Sequence, residues 1–142
     1  KLQEKLLMMV EKDAEVFEPL SKAYGLPSGT EEEKAEKERV METVLKAASE
    51  APFGIMELCM EAIDIVSRFS EIGSKIAISD AGCAAACCRA ALNAASLNVF
   101  INTKLMKDRA YAEEMNKRAE EMLELGNVKA DAIFDTVKSG LI

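Results

Sequence analysis

The residues that could carry chemistry are the polar ones interrupting an apolar, Ala-rich run: Asp80, Asn98 and Asn102. Asn98 and Asn102 are one helical turn apart and share a face. Asp80 precedes Asn98 by 18 positions, about five whole turns, so it shares that face at roughly 27 Å along the axis. One small ligand cannot touch both ends of that line from one helix. Two antiparallel copies across a two-fold axis could bring Asp80 of one copy near Asn98 of the other. Plainer roles compete: Asp80 as a helix cap, the asparagines bonded to neighbouring backbone.

The chain has no histidine. Ser-His-Asp and Cys-His nucleophile pairs cannot be built, and proton transfer falls to Asp, Glu, Lys, Tyr or Cys. There is no Walker loop and no GxGxxG, so no phosphate cradle is expected. The thiols are Cys59, Cys83, Cys87 and Cys88. A disulfide between Cys83 and Cys87, within one helix turn, would be strained. Free, buried thiols in a reducing compartment are expected. Without CxxC spacing or His, no metal site is expected.

Composition fixes the elements that must position these residues. The chain is 49% hydrophobic but only 5% aromatic, so its apolar mass is Ala, Leu, Met, Ile and Val, of which all but the β-branched pair strongly favour helix. With 3 Pro and 7 Gly, breaks are few. The net charge of −7, without a basic stripe, argues against nucleic acid. The apolar run Ala81 to Ile101 holds Arg89, Asn93 and Asn98, which a bilayer would resist. The opening Lys1-Leu2-Gln3 does not read as a signal peptide, so none is expected, and a soluble, cytoplasmic chain is expected. Leu2, Leu6, Met9 and Val10 already form an amphipathic face. That pattern predicts one helical domain over 1–142 whose N-terminal part is missing.

The periodicity predicts six helical segments in an all-α helical bundle. The first runs from about Leu2 to Tyr24, with a kink near Phe17 imposed by Pro19. After the loop Gly25 to Gly29, Thr30 and Glu33 form a capping box. That helix turns Val40, Val44 and Leu45 inward and ends near Glu50. Pro52 suits the first turn of a third helix carrying Ile55, Cys59, Ile63 and Val66, closed at Glu71 to Ser74. The fourth, from Ser79-Asp80 to about Met106, is small and apolar all round, and is predicted to be a buried Ala/Cys-rich central helix. Asp108 caps a fifth helix to about Leu125; Asn127 opens a short sixth that Gly140 ends. The Ala/Cys/Gly face of the central helix is too apolar to leave wet, which predicts a homodimer or larger homo-oligomer.

Several strings follow one another in order: Asp13-Ala14-Glu15-Val16-Phe17, Leu26-Pro27, Thr30-Glu31-Glu32-Glu33-Lys34, Ala51-Pro52, Ser79-Asp80-Ala81-Gly82, Leu97-Asn98-Val99-Phe100-Ile101-Asn102 and Lys107-Asp108. Together they resemble the cyclodeaminase/cyclohydrolase family of folate one-carbon metabolism over nearly the whole chain. The resemblance implies an all-helical, dimeric fold with its active site in a cleft, a tetrahydrofolate derivative as substrate, and no metal or other cofactor. It implies formimino-tetrahydrofolate cyclodeaminase first: one folate nitrogen closes onto the formimino carbon and ammonia leaves. The alternative is methenyl-tetrahydrofolate cyclohydrolase, in which water opens the methenyl bridge. A non-catalytic helical assembly module is the reading from another class. In the enzymatic readings Asp80 is the catalytic carboxylate, and Asn98 and Asn102 hold the pterin edge. Lys104, with Lys107 and Arg109, would meet the anionic folate tail.

Overall fold

The computed structural model describes residues 1–74 and 76–142. Four helices account for them: α1 (Leu2–Tyr24), α2 (Glu31–Ile72), α3 (Ile78–Leu105) and α4 (Arg109–Leu141). No strand occurs among the described residues, and the all-α bundle is as expected. The Thr30 capping box is formed: Glu33 N–H donates to Thr30 Oγ1 at 3.2 Å and Thr30 N–H to Glu33 Oε2 at 3.0 Å. Asp108 caps α4 by accepting from Tyr111 N–H at 3.1 Å.

Four helices replace the six expected because two breaks do not occur. Pro52 lies inside α2, a helix of 42 residues, rather than opening a new one. Proline removes the N–H that would serve the carbonyl four residues back. Here that carbonyl, Ala48 O, accepts instead from Asn102 Nδ2 of α3 at 3.1 Å. Pro19 is likewise contained within α1, on an exposed face. The second missing break is at Gly126-Asn127. α4 continues through it for 33 residues. Asn127 is no cap; it exchanges two hydrogen bonds with Asn93 of α3, at 2.6 and 3.2 Å. Gly126 is a contact point, where a Cβ would run into Leu92 and Met60.

The main core joins three helices. Phe53, Met56, Cys59 and Ile63 of α2 meet Ala81, Ala85, Leu92 and Val99 of α3 and Met115, Ala119 and Ile133 of α4. Small residues on α3 let the backbones approach. A second cluster, Leu20, Leu45, Ala48, Met106 and Ala112, ties α1 to the α3–α4 turn through α2. α1 packs against α2 alone among the helices.

The prediction of a central helix buried all round is corrected. α3 packs on α2 and α4 through one face, Ala81, Ala85, Leu92, Ala95 and Val99. The opposite face, with Cys83, Cys87, Ala94, Leu97 and Ile101, is exposed. The cause is geometric: only two helices flank α3, and α1 does not reach across it. The thiols follow. Cys59 is buried, Cys88 half-buried, and Cys83 and Cys87 exposed, against the expectation of burial for all. Burial pushes the Cys59 thiol up to about 11, with Cys88 nearby adding to the shift. α3 is also the one described helix long and apolar enough, by length and composition, to cross a membrane; its inner face is part of the bundle core.

Candidate functional site

Three helices enclose a cavity of about 250 Å³. Asp13, Phe17, Leu20 and Tyr24 recur every three or four positions on one face of α1 and form one wall. Ala48 and Pro52 of α2 form the floor, and Asn98, Ile101 and Asn102 of α3 the other wall. Leu20, Ala48 and Pro52 are buried, so the floor is apolar, while Asp13, Phe17 and Asn98 stand at the open rim. Asp13 has no ion-pair or hydrogen-bond partner among the described residues. Asn98 Nδ2 is 3.3 Å from Ala94 O, a carbonyl of its own helix. Asn102 is tied more firmly, through Ala48 O.

On the other side of Tyr24 lies a second cleft, of about 330 Å³, lined in part by Lys34, Lys37, Glu38, Glu42 and Lys107. Its cations have internal partners. Lys37 Nζ donates to the carbonyls of Tyr24 and Leu26 at 2.8 and 2.9 Å, which pins the α1–α2 loop. Lys34 pairs with Glu31 at 2.7 Å and Lys107 with Glu38 at 2.5 Å. Both are half-exposed surface pairs, worth little and easily exchanged for an incoming anion. The end of the cleft is rigid. Glu42 of α2 accepts the backbone N–H groups of Lys107 and Asp108 at 2.7 and 3.2 Å. Lys46 Nζ sits 2.6 Å from Asp108 Oδ2 and 4.8 Å above the Tyr111 ring. The Lys46 ammonium and the Tyr111 N–H hold the Asp108 carboxyl below its ordinary range.

The structure brings Asn98 and Asn102 together in the first cavity, as their spacing predicts. Asp80 is elsewhere. It lies exposed in the first turn of α3, and Ala77 rather than Ser79 or Asp80 occupies the cap position, without a side-chain cap bond. Lys104 is exposed and lines neither cavity. Lys107 lines the second. The Arg109 guanidinium is used on the end of α3, donating to Thr103 O and Met106 O at 2.8 and 3.2 Å. Sequence reasoning took Asp13 and Phe17 only as part of a matching string, and did not single out Tyr24. Their shared helical face with Leu20 was the signal that could have found them.

The arrangement offers a carboxylate, two amides and two aromatic rings around an apolar floor, with lysines one ring away. It can stack a planar ring, hydrogen-bond its polar edge, present the Asp13 carboxylate to it and meet an anionic extension. Among the described residues no three Cys, Asp or Glu side chains group as metal ligands.

The chain is similar to known proteins in sequence and, in one case, in structure. The chain is 39% identical over 138 residues to the methenyltetrahydrofolate cyclohydrolase of Methylorubrum extorquens, covering 97% of this chain and 66% of that protein. It is 26% identical over 135 residues to the formimidoyltransferase-cyclodeaminase of Sus scrofa, covering 95% of this chain and 25% of that one. The crystal structure of formiminotetrahydrofolate cyclodeaminase from Thermotoga maritima superposes with a TM-score of 0.71 at 28% identity, over 97% of this chain and 63% of that one. The chain thus spans just under two thirds of the bacterial proteins and a quarter of the mammalian one. The family model for formiminotransferase-cyclodeaminase matches residues 1–121, and the chain belongs to that family.

Proposed function

We propose that this chain is part of a folate enzyme acting on the one-carbon unit of tetrahydrofolate, and that it opens the methenyl bridge by hydrolysis. The observation that carries the reading is the 39% identity to a methenyltetrahydrofolate cyclohydrolase over 97% of the chain. The cavities support it chemically. A pterin ring fits between Phe17 and Ile101, its polar edge toward Asn98 and Asn102, and the anionic tail extends past Tyr24 toward Lys34 and Lys107. Asp13 is the carboxylate nearest this ring position. Water adds to the bridging carbon, giving a tetrahedral centre flanked by two nitrogens. One carbon–nitrogen bond then breaks, leaving a formyl group, with Asp13 orienting the water and relaying its proton. No metal or cofactor is required.

Ring closure with loss of ammonia is the second reading, favoured by the Thermotoga maritima likeness. It passes through a comparable tetrahedral carbon and uses the same residues. Asp80 reaches the site only from a second copy. An antiparallel dimer through the exposed face of α3, in a soluble cytoplasmic enzyme, is part of the proposal.

Loss of methenyl absorbance is compared with ammonia release from formimino-tetrahydrofolate. Faster decay of the methenyl compound with enzyme, and about 10²-fold slower decay with Asp13→Asn, is the expected result. Ammonia release without methenyl hydrolysis would reverse the order of the two readings. Inactivity in both assays would leave a helical module without catalysis.

A further inference from the structure

Pro52 lies in the interior of α2 and is fully buried. Its ring nitrogen has no hydrogen for the Ala48 carbonyl one turn back. A buried carbonyl without a donor is costly, and the donor comes from another helix, as Asn102 Nδ2 at 3.1 Å. Only the NH₂ end of a carboxamide can serve this oxygen. The tie to Ala48 therefore decides which way the whole Asn102 amide faces. Nothing among the described residues donates to Asn102 Oδ1, and no polar side-chain atom is buried without a partner. Oδ1 is accordingly not sealed from solvent, and Asn102 lines the cavity. Asn98 differs. Its amide reaches Ala94 O, which already belongs to the helical ladder of α3, at 3.3 Å. It can turn over at little cost, whereas Asn102 cannot without orphaning Ala48.

We propose that Pro52 is a positioning residue for Asn102: by vacating the Ala48 carbonyl it locks the Asn102 carboxamide with its oxygen toward the cavity, which makes the cavity select a ligand edge that presents N–H donors. The identity of that ligand rests on the folate reading above; the amino-pyrimidinone edge of a pterin carries such donors. One proline thus trades a backbone hydrogen bond within α2 for a fixed acceptor on the facing helix.

The test uses the whole chain and two backgrounds. Pro52→Ala restores a backbone N–H to Ala48, so Asn102 is no longer needed to satisfy that carbonyl. If Asn102 serves only the carbonyl, Pro52→Ala binds the probe, 5-formyl-tetrahydrofolate, as the wild type does. If its locked oxygen holds the ligand, Pro52→Ala binds the probe at least tenfold more weakly than the wild type by calorimetry, and adding Asn102→Ala keeps the thermal midpoint of Pro52→Ala and lowers affinity little further. Wild-type affinity in Pro52→Ala, or a further tenfold loss on adding Asn102→Ala, would overturn the proposal. The lock is also read without any ligand, from exchange of the Asn102 side-chain amide protons by NMR. These should be protected in the wild type and exchange freely in Pro52→Ala; unprotected protons in the wild type would overturn it. Failure of the wild type to bind the probe, with the protons protected, would instead count against the folate reading.

Discussion

Replacing Gly126 by Ala sets two known effects against each other at one buried atom. Gly126 lies inside α4, where Ala is favoured over Gly by about 1 kcal/mol of helix propensity. The added Cβ would sit 2.7 Å from Met60 Sδ and closer still to Leu92 Cδ2. Overpacking of this kind costs roughly 1–3 kcal/mol. The two obstacles are unequal. Met60 is half-buried and flexible, so it can swing aside. Leu92 is 0% exposed in the core and has nowhere to go. With one soft and one hard contact, an overpacking cost of about 2 kcal/mol outweighs the propensity gain, for a net loss of about 1 kcal/mol. In a chain of 142 residues that lowers Tm by roughly 3 °C. Urea unfolding followed by circular dichroism measures it. The control is Gly140→Ala in the same helix, where a Cβ meets nothing within 4 Å; it should stabilise by about 0.5 kcal/mol or less, near a fraying end. A Gly126→Ala variant as stable as the wild type would mean that α3 and α4 yield at this contact, and the packing argument would be wrong.

Thiol reactivity reads the state of α3. If a second copy covers its outer face, Cys83 and Cys87 should react slowly at micromolar concentration and faster on dilution, while Cys59 stays slow throughout; rates independent of dilution would remove the dimer from the proposal. The Cys59 thiol, raised by burial to about 11 from an ordinary 9.0, stabilises the fold fully below pH 9 and loses that contribution as pH rises through about 11. Chemical unfolding of the wild type and Cys59→Ala across that range should show the variant's stability falling less; parallel curves would contradict the burial argument. Asp80→Asn should change stability by less than about 1 kcal/mol, since the carboxylate makes no cap bond, yet lower methenyl hydrolysis about 10²-fold if a second copy delivers it. Unchanged turnover would exclude Asp80 from the chemistry.

Local rules made much of this fold legible. Thr30 with Glu33, and Asp108 ahead of Tyr111, are caps whose partners lie within three residues, so sequence contains the whole interaction. Asn98 and Asn102 share a face by the same short-range geometry. The failures are long-range. Pro52 reads as a helix start because its compensation, Asn102, is on another helix. Gly126 and Asn127 read as a break because their partners Leu92 and Asn93 are likewise on α3. α3 reads as fully buried because composition shows that a surface is apolar and says nothing about how many neighbours exist to cover it.

The same distinction explains the site. α1 has only Leu20 and Ala23 buried, both near its C-terminal end. Farther along, Met9 lies against Gly54, where a Cβ would come within 3.0 Å of its Cε. Lys5 reaches Glu61 at 3.1 Å through an exposed pair of little energetic weight. α1 is therefore anchored at one end, and its contacts with other helices are confined to α2. The cavity wall carrying Asp13 and Phe17 lies between the strong anchor and the weak one. On the facing wall, Asn102 is held by the backbone of α2 at the buried Ala48. One side of the cavity is rigid and polar, and the other is an aromatic and acidic face on the least constrained helix. A planar ligand inserted between them gains most by drawing α1 onto α3, because Phe17 and Ile101 are 62% and 61% exposed without it. Under the proposed folate reading, closure of that kind would bring Asp13 toward a ring that Asn102 orients.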